Sequence, residues 1–187
     1  MPDEHRVAAA FGATPRARFL RAVDRDRAPG DVPIRIGHGQ TCSQPSTVRA
    51  MLVLLDVRPG QRVLDVGSGS GWTTALLAHL AGPAGTVVGL EIEPDLVRWG
   101  RANLERSHVD ATIRQAEPGV LGAPDEQPWD RILVSAGART LPRELVDQLA
   151  DGGRLVVPVA GWMTLVERHG DRVRTSEHGP YRFVPLR

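Results

Sequence analysis

The stretch Val63-Leu64-Asp65-Val66-Gly67-Ser68-Gly69-Ser70-Gly71-Trp72 leaves this chain few folds to choose from. A short apolar run, Arg62 to Val66, ends in three glycines spaced by serines, and a segment free of Gly and Pro follows from Trp72 to Ala81. The pattern predicts a buried parallel strand, a tight turn and a helix. Glycine suits such a turn because the backbone takes φ > 0 there and a ligand can approach where a Cβ would stand in the way. The stretch therefore predicts a nucleotide-type cofactor site.

Spacing narrows the cofactor. A dinucleotide fingerprint starting at Gly67 needs a small third residue at position 72, and Trp72 stands there. A P-loop needs a lysine after its last glycine, yet all 23 Lys-plus-Arg positions are arginine. Phosphoryl transfer and Schiff-base chemistry thus lose their usual residue. The remaining pattern, D-x-G-x-G-x-G from Asp65 through Gly67 and Gly69 to Gly71, suits the methionine end and ribose of S-adenosylmethionine. A second apolar run, Thr86 to Glu91, ends in a carboxylate at the distance past the glycine turn where an acid accepts hydrogen bonds from ribose hydroxyls. Glu91, Glu93 and Asp95 could instead favour the start of the helix that follows Pro94; that reading suits Glu93 and Asp95 better than Glu91.

Length and composition bound the rest. With 187 residues, 41% hydrophobic and 24% charged, one domain with a full core is expected. A formal net charge of +1 gives no field for nucleic acid or a membrane surface. One cysteine excludes a disulfide framework and points to a reducing cytoplasm. The start, Met1-Pro2-Asp3-Glu4-His5, is polar and no apolar run approaches ~20 residues, so neither leader nor membrane span is expected. Histidines at 5, 38, 79, 108, 169 and 178 lack metal-ligand spacing, so no metal is expected. No long apolar seam is left for a partner, and a monomer is the expectation.

Taken in order, residues 6–23 read as an amphipathic helix broken at Pro15, with Val7, Phe11, Phe19 and Val23 as apolar members. A charged link, Asp24 to Pro33, precedes Ile34–Pro45. Ser43 or Gln44 then caps a helix to Asp56 that carries Val48, Met51, Leu52 and Leu55 on one face. Strands follow near 62–66, 86–91, 111–116, 129–135 and 153–159, with helices at 72–81, 95–106 and 141–150. Met163–Arg168 and Arg182–Leu186 are expected to close the chain as an antiparallel hairpin. Alternating elements predict an α/β fold with a doubly wound, mostly parallel sheet, Rossmann-like, whose ligands sit at the carboxyl ends of the strands. Residues 1–33 form an N-terminal helical region, 34–56 a substrate-side segment and 57–187 the cofactor-binding core.

Five stretches together resemble the protein-L-isoaspartate O-methyltransferase family: Ile36-Gly37-His38-Gly39-Gln40-Thr41-Cys42-Ser43-Gln44-Pro45, the loop Leu64 to Gly71, Gln127 to Ile132, Gly152 to Pro158, and Arg182-Phe183-Val184-Pro185-Leu186. The likeness covers nearly the whole chain, beginning at Pro15-Arg16-Ala17-Arg18-Phe19. The G-x-G-Q-T-x-S-x-P element carries it more specifically than the glycine loop.

The resemblance implies S-adenosylmethionine as methyl donor, S-adenosylhomocysteine as product, and the α-carboxylate of L-isoaspartyl residues in damaged proteins as acceptor. It places Thr41 and Ser43 at the acceptor, Gly67, Ser68 and Gly69 at the methionine part, and Glu91, with Ile92 beside it, at the ribose. Family members carry Gly-Asp-Gly after the third strand, near the adenine amino group. This chain reads Glu117-Pro118-Gly119, and Glu117 is the candidate substitute. The ends are also shorter than is usual. Three functions fit: repair methylation followed by spontaneous succinimide closure; a carboxyl methyltransferase dedicated to one peptide or small molecule; and a cofactor-binding module without turnover. Nucleic-acid methylation is disfavoured, because Ser135-Ala136-Gly137-Ala138 stands where an Asn-Pro-Pro-aromatic element would be needed and no basic face is apparent. Cys42 with His38 as base lacks a third orienting residue and reads better as a small buried side chain.

Overall fold

The computed structural model describes residues 4–187; residues 1–3, part of the polar start, lie outside the described residues. A helix α1 (Glu4–Ala13) leads into two short 3-10 turns, Arg16–Phe19 and Ala22–Arg27. The chain then forms an antiparallel pair, β1 (Ile34–Gly37) and β2 (Gln40–Cys42), and a helix α2 (Pro45–Leu55). Next come β3 (Arg62–Val66), α3 (Trp72–Ala81), β4 (Thr86–Glu91), α4 (Pro94–Arg106) and β5 (Thr112–Gln115). The second half holds β6 (Trp129–Val134), α5 (Arg143–Asp147), β7 (Leu149–Val159), β8 (Trp162–His169) and β9 (Arg172–Pro180).

The main sheet runs β5-β4-β3-β6-β7-β8-β9. β3 to β7 are parallel neighbours, while β7, β8 and β9 pair antiparallel. The chain winds outward from β3 through β4 to β5, then returns to β3's other side with β6. The order therefore reverses between β3 and β6, and the carboxyl ends of those two strands frame a crevice.

Alternation along the strands feeds two apolar layers. Val63, Val87, Ile113, Leu133 and Val156 pack with α1 to α4, whereas Leu64, Val88, Ile132 and Leu155 pack with α5 and the loop before β6. On α2 the expected face is fully sequestered, with Val48, Met51, Leu52 and Leu55 each at most 1% exposed. At ~1.5–3 kcal/mol per buried side chain of this size, that face is enough to seat the helix.

Trp72 occupies the first turn of α3 and faces the N-terminal segment. Its indole N–H donates to the Thr14 carbonyl at 3.0 Å, Phe11 meets it edge-on at 5.5 Å and the Arg16 guanidinium stacks at 5.3 Å. A small residue at this position would remove these contacts and leave α1 held by Arg6, which donates to the Val57 and Leu80 carbonyls, and by buried Val7 and Ala10.

Three expectations change. The helix over 6–23 ends at Ala13, and Val23 is 87% exposed in a 3-10 turn, so it joins no apolar face. The helix at 141–150 shrinks to five residues, because Leu149 already pairs with Trp129 and the Gln148 side chain bonds the backbone of Leu121, Ala123 and Glu144. The closing hairpin is β8 with β9, turning at Gly170. Residues 182–186 form only an isolated bridge, Pro185 with Gly137. Glu93 is the N-cap of α4 and Asp95 lies in its first turn, where the helix-start reading put them; the Glu93 carboxylate makes no cap bond and also takes Arg187 and faces His38. No described helix is long and apolar enough to cross a membrane.

Candidate active site

The crevice at the carboxyl ends of β3, β4 and β6 opens into a cavity of about 420 Å³. The glycine loop forms its floor. Gly69 has φ +52°, and a Cβ there would come within 3.1 Å of Ile36 Cδ1; Gly71 has φ +86°, and its Cβ would lie 3.2 Å from the Gly100 carbonyl of α4. A side chain at either position would be strained by the positive φ and would crowd Ile36 or the α4 backbone by a few tenths of an ångström.

The loop's amides are already committed. Gly67 and Ser68 N–H both donate to the Leu90 carbonyl (2.8 and 3.0 Å), and Gly69 N–H donates to Glu91 Oε2 at 2.8 Å. Glu91, 5% exposed, takes a second backbone N–H, that of Glu93, on Oε1 at 3.0 Å. A carboxylate has room for about four such bonds. Glu91 is therefore fixed by the backbone while two acceptor positions remain for a ligand's hydroxyls.

Ile92, 41% exposed, continues the wall past Glu91, and Ala116 to Gly122 form an arm in which Glu117 is the one ionisable side chain. Ile36, Gln40 and Thr41 close the cavity from one side, Val184 to Arg187 from another. A smaller niche of about 20 Å³, room for one small polar group, adjoins it and is lined by Thr41, Cys42, Ser43, the 67–70 loop, Trp72, Thr73 and Ser135. Thr41, Gly67, Gly69 and Ser135 line both.

Of the residues the sequence singled out, Thr41, Gly67, Gly69, Glu91, Ile92 and Glu117 meet on the larger cavity, and Ser43 lines the smaller one. Gln44, not Ser43, is the N-cap of α2, and its amide side chain bonds Ser46 rather than capping. Asp31 Oδ1 accepts the Ser46 N–H at 2.8 Å, and this bond holds the Asp31 carboxyl below its ordinary range. Ser43's hydroxyl is thereby free of capping duty.

Asp65 sits elsewhere than expected, while Ser68 lines the smaller cavity with Gly67 and Gly69. Asp65 is fully buried behind the loop and lines neither cavity. Its Oδ2 accepts the Thr73 and Thr74 hydroxyls at 2.9 and 2.7 Å, tying α3 to β3, and burial pushes its carboxyl up to about 6. Ser68 packs against β4, where a Cβ on Gly89 would lie 2.9 Å from its own Cβ; it lines only the smaller cavity.

The sequence model of the protein-L-isoaspartate(D-aspartate) O-methyltransferase family matches residues 2–187. The chain belongs to this family. Relatives called protein-L-isoaspartate O-methyltransferase include one from Methanopyrus kandleri, 43% identical over 188 residues, covering 97% of this chain and 83% of the relative. Another, from Anaeromyxobacter dehalogenans, is 44% identical over 191 residues, covering 98% and 90%. Among solved structures, a Plasmodium falciparum beta-aspartate methyltransferase (PCMT) in complex with S-adenosyl-L-homocysteine superposes with TM-score 0.85 at 28% identity, over 99% of this chain and 91% of that one. A second protein-L-isoaspartate O-methyltransferase gives 0.87 at 25% identity, over 97% and 61%.

Pro118 stands in the 116–122 arm of the larger cavity. Proline offers neither a side-chain acceptor nor an N–H, and the Glu117 carboxylate beside it, exposed, has no partner among the described residues. Cys42 is 5% exposed and burial pushes its thiol up, away from the thiolate a nucleophile needs. His38 turns to Glu93 and Asp95 (3.5 and 3.2 Å) rather than to Cys42.

Sequence reasoning passed over Ser135 and Arg16. Ser135 is the residue just past β6, its N–H bound to the Val66 carbonyl at 2.8 Å. Arg16, 5% exposed, donates to the carbonyls of Gly30, Val32, Cys42 and Ser43 at 2.8 to 3.1 Å, which sets the course of the Thr41–Ser43 segment. Ser135's place could be read from the strand order, since it follows the strand that returns beside β3. Arg16 carries no such signal, because its partners are backbone groups remote in sequence.

Proposed function

We propose that this chain is an S-adenosylmethionine-dependent carboxyl methyltransferase acting on the α-carboxylate of L-isoaspartyl residues in damaged proteins. The observation that carries the reading is the pair of adjoining cavities. The larger is the size of a nucleoside with an amino-acid tail and has a backbone-fixed carboxylate at the end of β4; the smaller is lined by hydroxyls and, apart from the buried Cys42 thiol, holds no ionisable side chain.

The residues present fit the cofactor. Glu91 would take the ribose hydroxyls, Ile92 and the 116–122 arm the adenine with Glu117 toward its amino group, and Gly67 and Gly69 would admit the methionine part by their lack of a Cβ. When bound, the cofactor supplies a methyl on a positively charged sulfur, which passes to an oxygen nucleophile and leaves S-adenosylhomocysteine.

A carboxylate with an ordinary pKa near 4 is ionised at neutral pH and needs no general base. What the protein must do is hold it in line with the methyl without neutralising it. The hydroxyls of Thr41 and Ser43 serve that purpose as neutral donors. Arg16 keeps its charge on the far side of the Cys42 and Ser43 carbonyls, where it shapes the segment rather than pairing with the acceptor.

The test uses labelled S-adenosylmethionine with two peptides that differ only in L-isoaspartate against L-aspartate. Label is expected on the isoaspartyl peptide alone, and Ser43→Ala should lower kcat/KM about tenfold, the loss of one hydrogen bond to a charged group. Label on neither peptide, with cofactor binding intact, would favour a dedicated acceptor or a binding module.

A further inference from the structure

Three buried side-chain oxygens near the site have no hydrogen-bond partner among the described residues: Asp65 Oδ1, Ser68 Oγ and Ser135 Oγ. A buried polar atom left unpaired costs about 1–3 kcal/mol, so each calls for an explanation. Asp65 lines neither cavity, and Ser68 lies against Gly89 and lines only the smaller one. Ser135 differs from both, because it lines the larger and the smaller cavity alike.

Its placement is rigid. The Ser135 backbone N–H is held by the Val66 carbonyl at 2.8 Å, and the residue abuts Gly67, where an added Cβ would lie 3.7 Å from the Ser135 Cβ. Ser135 thus stands at the carboxyl end of β6, beside β3, where the strand order reverses. Of the four residues shared by the two cavities, two are glycines; only Thr41 and Ser135 carry a side-chain hydroxyl, and that of Ser135 lies buried just behind the shared wall. Thr41 comes from the β1–β2 pair and Ser135 from the main sheet, so the two hydroxyls belong to independently built parts of the fold.

We infer that Ser135 is an acceptor-positioning residue: its Oγ–H donates to the isoaspartyl carboxylate from the sheet side while Thr41 and Ser43 hold it from the other segment. The inference rests on the proposed carboxyl methylation and extends it. The unpaired hydroxyl gains its partner when the acceptor enters. A carboxylate held from two sides has one oxygen committed to hydrogen bonds and the other left for the methyl, which is the alignment the transfer requires.

The experiment compares the parent enzyme with Ser135→Ala and Ser135→Thr. Steady-state kinetics are measured on the isoaspartyl peptide, and S-adenosylhomocysteine affinity by calorimetry. Ser135→Ala is expected to lower kcat/KM for the peptide by about ten- to a hundredfold with cofactor affinity within about twofold, and Ser135→Thr, which restores the hydroxyl, should recover most of the loss. Rescue by threonine separates a hydrogen-bonding role from a packing one. Weakened cofactor affinity with an unchanged peptide KM would overturn the inference and assign the hydroxyl to the cofactor; an Ala variant as active as the parent would overturn it outright. A parent that binds cofactor but methylates no isoaspartyl peptide overturns the carboxyl-methylation reading, and the inference with it. If Ser135→Ala does not fold, Ser135→Gly removes the same hydroxyl and is held to the same outcomes.

Discussion

Asp65 and Glu91 are carboxylates at the ends of neighbouring strands, yet their surroundings give them different work. Glu91 is paired by two backbone N–H groups beside open cavity, whereas Asp65 is sealed behind the loop with two threonine hydroxyls. Replacing Glu91 by Ala is expected to weaken S-adenosylhomocysteine binding by at least tenfold, because the loop loses its anchor and the ribose its acceptor; calorimetry reads it directly. Asp65 governs stability instead. Unfolded, its carboxyl loses a proton near 3.8; folded, near about 6. Between those values the folded state binds more protons, so this group's contribution to stability falls as pH rises, and above about 6 the full cost of the buried charge remains. The difference in unfolding free energy between parent and Asp65→Asn should therefore shrink or change sign from pH 4 to pH 7, by on the order of 3 kcal/mol, in urea titrations. A pH-independent difference would show that Asp65 is not the group responsible.

Elements were legible in proportion to how fully they are buried. The runs 62–66 and 86–91 lie in the middle of the parallel sheet, covered on both faces, and their apolar content marked them closely. β9 is exposed along nearly its whole length and lies at the sheet edge, so Arg-Val-Arg-Thr-Ser-Glu-His carries no alternation to read. The 182–186 stretch carries apolar residues for another reason. Val184 and Leu186 pack on the second apolar layer and border the larger cavity, which imitates a strand pattern without strand pairing. Close contacts between elements leave even less trace. Gly100 lies inside α4, where alanine would ordinarily stabilise the helix by up to ~1 kcal/mol. Here its Cβ would lie 3.0 Å from the Gly69 carbonyl and 2.9 Å from Ile113 Cδ1. Gly100→Ala should instead cost about 1–3 kcal/mol and weaken cofactor binding through the loop, with a lower Tm and a higher Kd as the readouts. An unchanged Kd would separate α4 packing from loop geometry.

At the scale of the whole molecule, the site is assembled from parts far apart in sequence: the β1–β2 pair, the loop after β3, the ends of β4 and β6, the 116–122 arm and the 184–187 segment. The glycine loop and the Gln40–Pro45 motif announced two of these, and Glu91, Ile92 and Glu117 marked the end of β4 and the 116–122 arm. The wall shared by the two cavities became visible only in three dimensions, since it depends on the strand order. S-adenosylhomocysteine at 100 times its Kd should stabilise the protein by about 2.7 kcal/mol, a rise of several degrees in Tm that a tenfold weaker Glu91→Ala variant would show only about half of at the same ligand concentration. Donor and acceptor are proposed to occupy the adjoining cavities that share Thr41, Gly67, Gly69 and Ser135. A crystal structure of the protein with S-adenosylhomocysteine and an L-isoaspartyl peptide tests this placement most directly. The ribose is expected on Glu91 and the isoaspartyl carboxylate in the smaller cavity, within hydrogen-bond reach of Thr41 and Ser43 and facing the homocysteine sulfur. A peptide bound away from that wall, or a ribose out of reach of Glu91, would contradict it.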